Sequence, residues 1–236
     1  MIGRMDDETR TPDKVLTRAE ASDAVSDLGW RYVLNTLRTQ VRVESLGGAA
    51  AVASHIIATV DQDAGDRLRA DLRPDRLLLR VQTYRAARVT VRDVAVARQI
   101  SAAVAELFLR TEPGRDRPVQ AIEIAVDALD IAAVRPFWKA VLDYADEPGK
   151  EGPQDAIVDP HGQAPAVWFQ QMDAPRPQRN RIHIDVSVPH DEAPRRIDAA
   201  LAAGGSLVSD AHAPAFWVLS DPEGNEACVT TWQGRD

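Results

Sequence analysis

The sequence has little cysteine and no long apolar run. Cys228 is the one cysteine in 236 residues, which excludes a disulfide within the chain and a zinc site built from several cysteines. No apolar stretch is long enough to span a bilayer. The opening stretch, MIGRMDDETRTPDK, is charged and has no apolar core, so it does not resemble a signal peptide. We therefore predict a disordered tail over residues 1–13, a cytoplasmic location and no membrane partner.

An excess of basic charge is also missing. The chain has 28 Lys and Arg against 36 Asp and Glu, a net charge of -8 that argues against nucleic acid as the main partner. Arginine is nevertheless concentrated in residues 67–98. Aspartates are interleaved with these arginines, and charges on strands commonly pair with their neighbours. This pattern predicts a solvated, ion-paired face rather than a nucleic-acid track.

A polar stretch divides the chain. RTEPGRDRP, residues 110–118, contains two prolines and a glycine and follows a long helical pattern, which is typical of a linker. We predict a first domain over 14–112, a linker over 113–118 and a second domain over 119–236. Both blocks have a comfortable domain size.

The first block alternates helical and strand patterns in the order α-β-β-α-β-β-α. Thr17 and Glu20 form a capping-box pattern at its first helix, and Thr90 with Asp93 caps a long helix over 90–109. The first two strands are predicted to be joined by a turn at Asn35-Thr36. This order predicts a four-stranded antiparallel sheet with helices on it, an α+β fold.

The second block contains an internal repeat. A strand, a helix and further strands occur twice with a period near 60 residues, and the opening strands AIEIAVDALD and RIHIDVSVPH resemble each other. A duplicated unit buries its open face against its copy. We therefore predict paired βαβββ modules and an α+β fold class for the whole chain.

The strand RNRIHIDVSV, residues 179–188, carries polar side chains on one face. Its apolar residues alternate with His183, Asp185 and Ser187. A strand with that alternation either faces solvent or lines a pocket with its polar side. The rest of the second block favours a pocket.

This block resembles the glyoxalase-like members of the vicinal oxygen chelate superfamily over roughly residues 119–233. The matching features are the FWKAVLDY helix, the NRIHIDVSV strand and WVLSDPEGNEACV. The resemblance implies that the modules curl into a cup with the ligand inside. It also implies that a metal, where one is bound, takes ligands from first and last strands, at Glu123, His183, Gln170 and Cys228.

Two of those four positions depart from the pattern of the superfamily. A carboxylate is usual on the last strand, and Gln170 with Cys228 is a poor replacement for a hard cation. We predict a pocket without a cofactor, with Glu123 and His183 as acid–base groups. A divalent metal at these two residues is the alternative. The other residues predicted to line the pocket are Trp168, Gln170, Trp217 and Cys228.

The first block resembles pterin-4a-carbinolamine dehydratases over residues 17–108. The matches are GWRY and VQTYRAARVTVRDVAVARQI, in which Thr83, Thr90, Asp93 and Ala97 keep the family spacing. The resemblance implies dehydration of a 4a-hydroxy pterin by histidines.

The catalytic histidines of that family are replaced here. Its His-His-Pro stretch falls on Asp61-Gln62-Asp63, and its later His falls on Tyr84. Imidazole is the natural proton shuttle near neutral pH, so these replacements favour a retained scaffold over a dehydratase. Asp61, Gln62 and Tyr84 are the substrate-binding candidates here, with Asp61 as base and Tyr84 as acid.

Three functions follow from these resemblances. The first is a small-molecule enzyme of lyase or isomerase type acting in the cup of the second domain. The second is a non-catalytic protein that binds a small molecule in the same cup. The third is a 4a-hydroxytetrahydrobiopterin dehydratase acting through the first domain. The partner in each is a small-molecule ligand, and both resembled folds commonly form homo-oligomers.

Overall fold

The computed structural model describes residues 13–61, 64–114, 116, 118–175 and 182–234. The chain divides into two compact units, one ending at Ala121 and the other beginning at Ile122. No helix in the described part of the chain combines the length and the apolar character needed to cross a membrane.

The first unit is an antiparallel sheet with three α-helices. Its elements are α1 (Arg18–Asp23), β1 (Arg31–Val33), β2 (Thr36–Arg42), α2 (Leu46–Thr59), β3 (Leu68–Leu72), β4 (Arg76–Val81), α3 (Val91–Glu106) and β5 (Thr111–Glu112). The strand order is β1-β2-β4-β3, and the short β5 also pairs with β2. The predicted element order and four-stranded antiparallel sheet are confirmed. The fifth strand comes from the stretch that was interpreted as the start of a linker.

Local sequence signals set the helix ends of this unit. Thr17 and Glu20 form the expected capping box at α1, and Thr90 with Asp93 forms the one at α3. The first turn differs from the prediction, because Leu34 and Asn35, not Asn35 and Thr36, join β1 to β2. Both turn residues have positive φ, as a two-residue hairpin turn that matches strand twist requires. Thr36 instead begins β2.

The core of the first unit lies between one face of the sheet and the helices. Leu37, Leu79 and Val81 of the sheet pack with Ile56 of α2 and Ile100 of α3, all nearly solvent-free. Because strand side chains alternate between faces, the residues between these positions lie on the opposite, non-core face of the sheet. That face includes Arg38 on β2 and Arg80 on β4.

The second unit consists of two βαβββ modules. The first module has β6 (Glu123–Ala128), α4 (Ile131–Leu142), β7 (Ala145–Asp146), β8 (Ile157–Val158) and β9 (Ala166–Gln171). The second has β10 (Ile184–Ser187), α5 (Ala193–Ala202), β11 (Ser206–His212), β12 (Phe216–Ser220) and β13 (Glu226–Thr230). The strand orders are β6-β9-β8-β7 and β10-β13-β12-β11, so the two modules have the same topology. The predicted repeat is confirmed.

The two modules share one core and are joined by a turn. Phe137 and Trp138 of α4 are buried with residues of both sheets. The indole Nε1 of Trp138 donates to the carboxylate of Asp221 at 2.9 Å, and Glu223 accepts from the backbone N–H groups that precede α4. Asp221 also accepts from the backbone N–H of Asn225 at 2.9 Å. The DPEGN segment therefore connects the second module to the first helix of the unit.

Candidate functional site

The second module places three metal-ligand side chains together on the non-core face of its sheet. β10 and β13 run parallel, with Asp185 opposite Cys228. His183 lies two residues before Asp185, so it belongs to the same face. Core residues Ala227 and Val229, on either side of Cys228, point to the other face. The strand register thus brings together side chains that are far apart in the sequence.

The distances within this cluster are short. His183 Nδ1 lies 3.1 Å from Asp185 Oδ1 and 3.7 Å from Cys228 Sγ. The side chains of His183 and Asp185 are 51% and 58% exposed, whereas Cys228 is only 7% exposed. The site is therefore a buried thiol at the base of an accessible imidazole and carboxylate. A small molecule can reach the histidine and the aspartate from solvent.

The first module presents its own polar residues on its non-core face. Glu123 begins β6, while Trp168 and Gln170 on β9 alternate with core residues Val167 and Phe169. Trp168 is 38% exposed. Among the residues that the structure describes, no hydrogen bond or ion pair joins Glu123 to His183.

Trp217 lies on the other side of its sheet. It is opposite Val229 in the pairing of β12 with β13, and it packs against the core shared by the two modules. Val218, its neighbour in sequence, is opposite Cys228 and shares the face of the cluster. The tryptophan that was expected to line the pocket is thus part of the packing beneath it.

The candidate residues of the first unit are held by different partners. Asp61, after α2, accepts a 2.7 Å hydrogen bond from Gln99 Nε2 of α3. Gln62 lies outside the described residues. Tyr84 follows β4, and the guanidinium of Arg69 lies 4.1 Å from its ring centroid. Burial raises the pKa of the Tyr84 phenol, against the opposing effect of nearby arginines, so this side chain is protonated at neutral pH.

The cluster in the second module fits a metal ion. One ligand atom from each of His183, Asp185 and Cys228 lies within 4.8 Å of the other two. Tetrahedral zinc, with bonds of about 2.0–2.3 Å, separates its N, O and S ligands by roughly 3.3–3.6 Å. The distances at His183 Nδ1 are close to that range. This donor set weighs against the expectation of a site without a cofactor.

Asp185 was not among the residues predicted to form the site. Its position two residues after His183 was visible in the alternation of the strand, and that spacing puts both on one face. The resemblance to the chelate superfamily implied ligands on the first and last strands, including Glu123, and none at Asp185. The parallel register of β10 with β13 shows that a carboxylate accompanies His183 within its own strand.

Comparison with protein families places this cluster in a recognised domain. The family described as "Glyoxalase-like domain" matches residues 123–230, which span both modules. The C-terminal region is therefore similar to glyoxalase-like domains. No curated protein matches the chain.

Solved structures of low sequence identity match about half of the chain. A glyoxalase/bleomycin resistance protein/dioxygenase family enzyme from Burkholderia phytofirmans PsJN is 16% identical, with 46% of this chain and 95% of that chain covered and a TM-score of 0.39. The fosfomycin resistance protein FosX from Mesorhizobium loti is 11% identical, covering 48% and 92%, with a TM-score of 0.38. A glyoxalase-related enzyme from Fulvimarina pelagi is 20% identical, covering 48% and 88%, with a TM-score of 0.36.

Proposed function

We propose that the C-terminal unit is a metal-dependent small-molecule enzyme of lyase or isomerase type. The metal ligands from the chain are His183, Asp185 and Cys228. The observation that carries the proposal is the convergence of an imidazole, a carboxylate and a thiol on one accessible sheet face. The family match at residues 123–230 supports a small-molecule site in this unit.

The chemistry of the donors favours zinc or a similar borderline metal. Zinc accepts mixed nitrogen, oxygen and sulfur ligands, whereas magnesium and calcium require oxygen. Three protein ligands leave one tetrahedral position for water or substrate, the arrangement of catalytic rather than structural zinc sites. Such a metal supplies Lewis-acid polarisation of a substrate oxygen.

His183 Nδ1 cannot bind a metal and donate a hydrogen bond to Asp185 at the same time. Metal ligation and acid–base catalysis by His183 therefore exclude each other. In the absence of a metal, Nδ1–H can donate to Asp185 Oδ1, which leaves Nε2 to exchange protons with a substrate. With a metal on Nδ1 that hydrogen bond is lost. The proposal therefore assigns His183 to the metal and leaves Glu123, on the non-core face of the first module, as the acid–base group.

Zinc affinity of the full chain tests the assignment. Equilibrium dialysis against buffered zinc should give one site per chain. His183→Ala and Asp185→Asn should each weaken affinity at least 10-fold, because each removes one of three ligands. His161→Ala is the matched control, since His161 lies in the exposed turn before β9 and outside the cluster.

Two results would contradict the proposal. Unchanged zinc affinity in both cluster variants would show that the metal, if bound, lies elsewhere. Saturable binding of a ligand without turnover, in protein that retains zinc, would instead favour the non-catalytic binding protein. If Glu123→Gln lowers the turnover rate while zinc stays bound, that result would support the acid–base role of Glu123.

A further inference from the structure

Four arginines form a line across the non-core face of the first sheet. The strand registers pair Arg31 with Arg38, Arg38 with Arg80, and Arg80 with Arg69. These pairs join β1, β2, β4 and β3 in turn. Because directly opposed residues point to the same face of a sheet, all four side chains leave the sheet on the side away from the core.

Direct opposition of like charges is unfavourable in a sheet. Facing Cβ atoms on neighbouring strands are about 4.5–5.5 Å apart, and like charges at that spacing are destabilising. Burial, with the positive charge of Arg80 as a further cause, lowers the pKa of Arg38. The line is therefore an arrangement that packing alone does not favour.

The expected ion pairs exist beside the line, and some of them involve residues on the same face of the sheet. Arg73 pairs with Asp71 at 2.8 Å, and Arg67 pairs with the buried Asp93 at 3.0 Å. Arg76 pairs with the carboxylate next to it, Asp75. The arginine-rich segment thus contains neutralised guanidinium groups outside the line.

Two arginines of the line have only neutral contacts within the described residues. Arg38 donates to the Thr36 hydroxyl and to the Gln120 carbonyl, each at 2.8 Å. Arg69 stacks on the ring of Tyr84. No carboxylate in the described part of the chain pairs with either. Their charge is therefore available to a ligand.

The Tyr84 hydroxyl adds a hydrogen-bond donor beside Arg38, Arg69 and Arg80. It is shielded from solvent and has no hydrogen-bond partner of ordinary geometry among the described residues. A shielded polar group without a partner destabilises the fold. Since burial keeps this phenol protonated, the group remains a donor. The guanidinium groups of Arg38, Arg69 and Arg80 therefore offer only donors to a ligand, and the Tyr84 hydroxyl can add one more.

We propose that Arg38, Arg69, Arg80 and Tyr84 form a binding site for a small molecule that bears a phosphate or diphosphate group. A site made of donors selects a ligand made of acceptors, and guanidinium groups bind phosphate oxygens in a bidentate manner.

The width of the line favours a small ligand over a nucleic acid. β2, β4 and β3 span about 10 Å, two strand spacings. The next row on the same face contains Gln40, Leu78 and Asp71, and Glu112 lies opposite Gln40. The row beyond it contains Arg42 and Arg76, which pair with Glu112 and Asp75, so acidic and neutral side chains border the line on that side. The line itself is wide enough for one or two phosphoryl groups.

Calorimetric titration of the full chain with pyrophosphate tests this site. The protein is first freed of metal, so that pyrophosphate has no metal to bind in the C-terminal unit. We expect saturable binding of one pyrophosphate per chain. Arg69→Gln and Arg80→Gln should each weaken binding at least fivefold, and a given pyrophosphate concentration should raise their melting temperatures less than that of the unchanged protein.

Arg73→Gln is the matched control, because it removes the same charge from the same sheet outside the line. It should leave the affinity within twofold of the unchanged protein. Equal binding by Arg69→Gln and Arg73→Gln would overturn the proposal, as would the lack of saturation. Tighter binding of malonate than of pyrophosphate would overturn the phosphate assignment. Tighter binding of a single-stranded oligonucleotide would overturn the small-molecule assignment.

Discussion

Both units pack helices against one face of their sheets, one sheet in the first unit and two in the second, but the charges of the units differ. Residues 1–121 contain 19 Lys and Arg against 17 Asp and Glu, whereas residues 122–236 contain 9 against 19. The non-core face of the first unit presents guanidinium donors. That of the second presents an imidazole, carboxylates and a thiol. Alternation buries one face of each sheet and leaves the opposite face with a different set of polar side chains in each unit.

Each unit also has one buried aspartate that organises a turn, and the partners of the two differ. Asp93 is fully buried and accepts from Thr90, from the Thr83 hydroxyl at 2.8 Å and from the guanidinium of Arg67 at 3.0 Å. Asp221 is 3% exposed, and all its hydrogen-bond donors in the described residues are neutral. The buried carboxylate of Asp93 is thus stabilised by a cation, whereas that of Asp221 is stabilised by neutral donors.

The largest effect is expected for Asp93→Asn. The change removes the Asp93 carboxylate from the Arg67 guanidinium, which keeps Asp13 as its second partner, and breaking a buried pair from one side costs about 3 kcal/mol. Urea unfolding should show this loss in the transition of the first unit. Asp71→Asn, which alters an exposed pair, is the control and should change stability by about 0.5 kcal/mol or less. A loss below about 1 kcal/mol for Asp93→Asn would refute the contrast with Asp221.

A smaller effect is expected for Asp221→Asn. The asparagine oxygen can still accept from Trp138, but its NH₂ group cannot accept from the turn that the second carboxylate oxygen supports. We predict a loss of about 1–2 kcal/mol in the transition of the second unit. Asp210→Asn on the exposed strand β11 is the control. An equal loss of stability in Asp221→Asn and Asp93→Asn would show that the charge of the partner does not affect stability.

The smallest effect concerns pH. Hydrogen bonds from Lys139 and Arg135 of α4 lower the pKa of Asp146. A carboxyl with a depressed pKa stabilises the fold above its unfolded pKa, near 3.9, and this contribution is lost as the pH falls through the folded value. Asp146→Asn should therefore lower the free energy of unfolding by about 1 kcal/mol at pH 7 and by progressively less below pH 4. An equal cost at pH 7 and pH 3 would contradict the assignment.

Much of the fold was predictable because local signals agreed with the tertiary packing. The capping boxes at Thr17 and Thr90, and the repeat that begins at Glu123 and His183, are visible in the sequence. β11 has a weak sequence signal because it is a mostly exposed strand at the edge of its sheet, without an apolar alternation. The turn at Leu34 was misplaced by one residue because no glycine marks its positive φ.

The sites were less predictable because they depend on register. In the FWVL stretch every residue is apolar, so alternation does not reveal that Trp217 points into the core and Val218 does not. The contact of His183 with Cys228 and the line through Arg38, Arg80 and Arg69 arise between strands. The pattern of a single strand identifies the residues, but it does not show which residues of the neighbouring strand lie opposite them.

The cobalt(II) spectrum of the full chain tests the central claim most directly, because it reports the ligand atoms themselves. With Cys228 as a ligand, the cobalt-loaded protein should show a sulfur-to-cobalt charge-transfer band and the visible bands of a tetrahedral site. Both should change in Cys228→Ser and persist in His161→Ala. A cobalt spectrum identical in Cys228→Ser and in the unchanged protein would contradict the metal site at His183, Asp185 and Cys228.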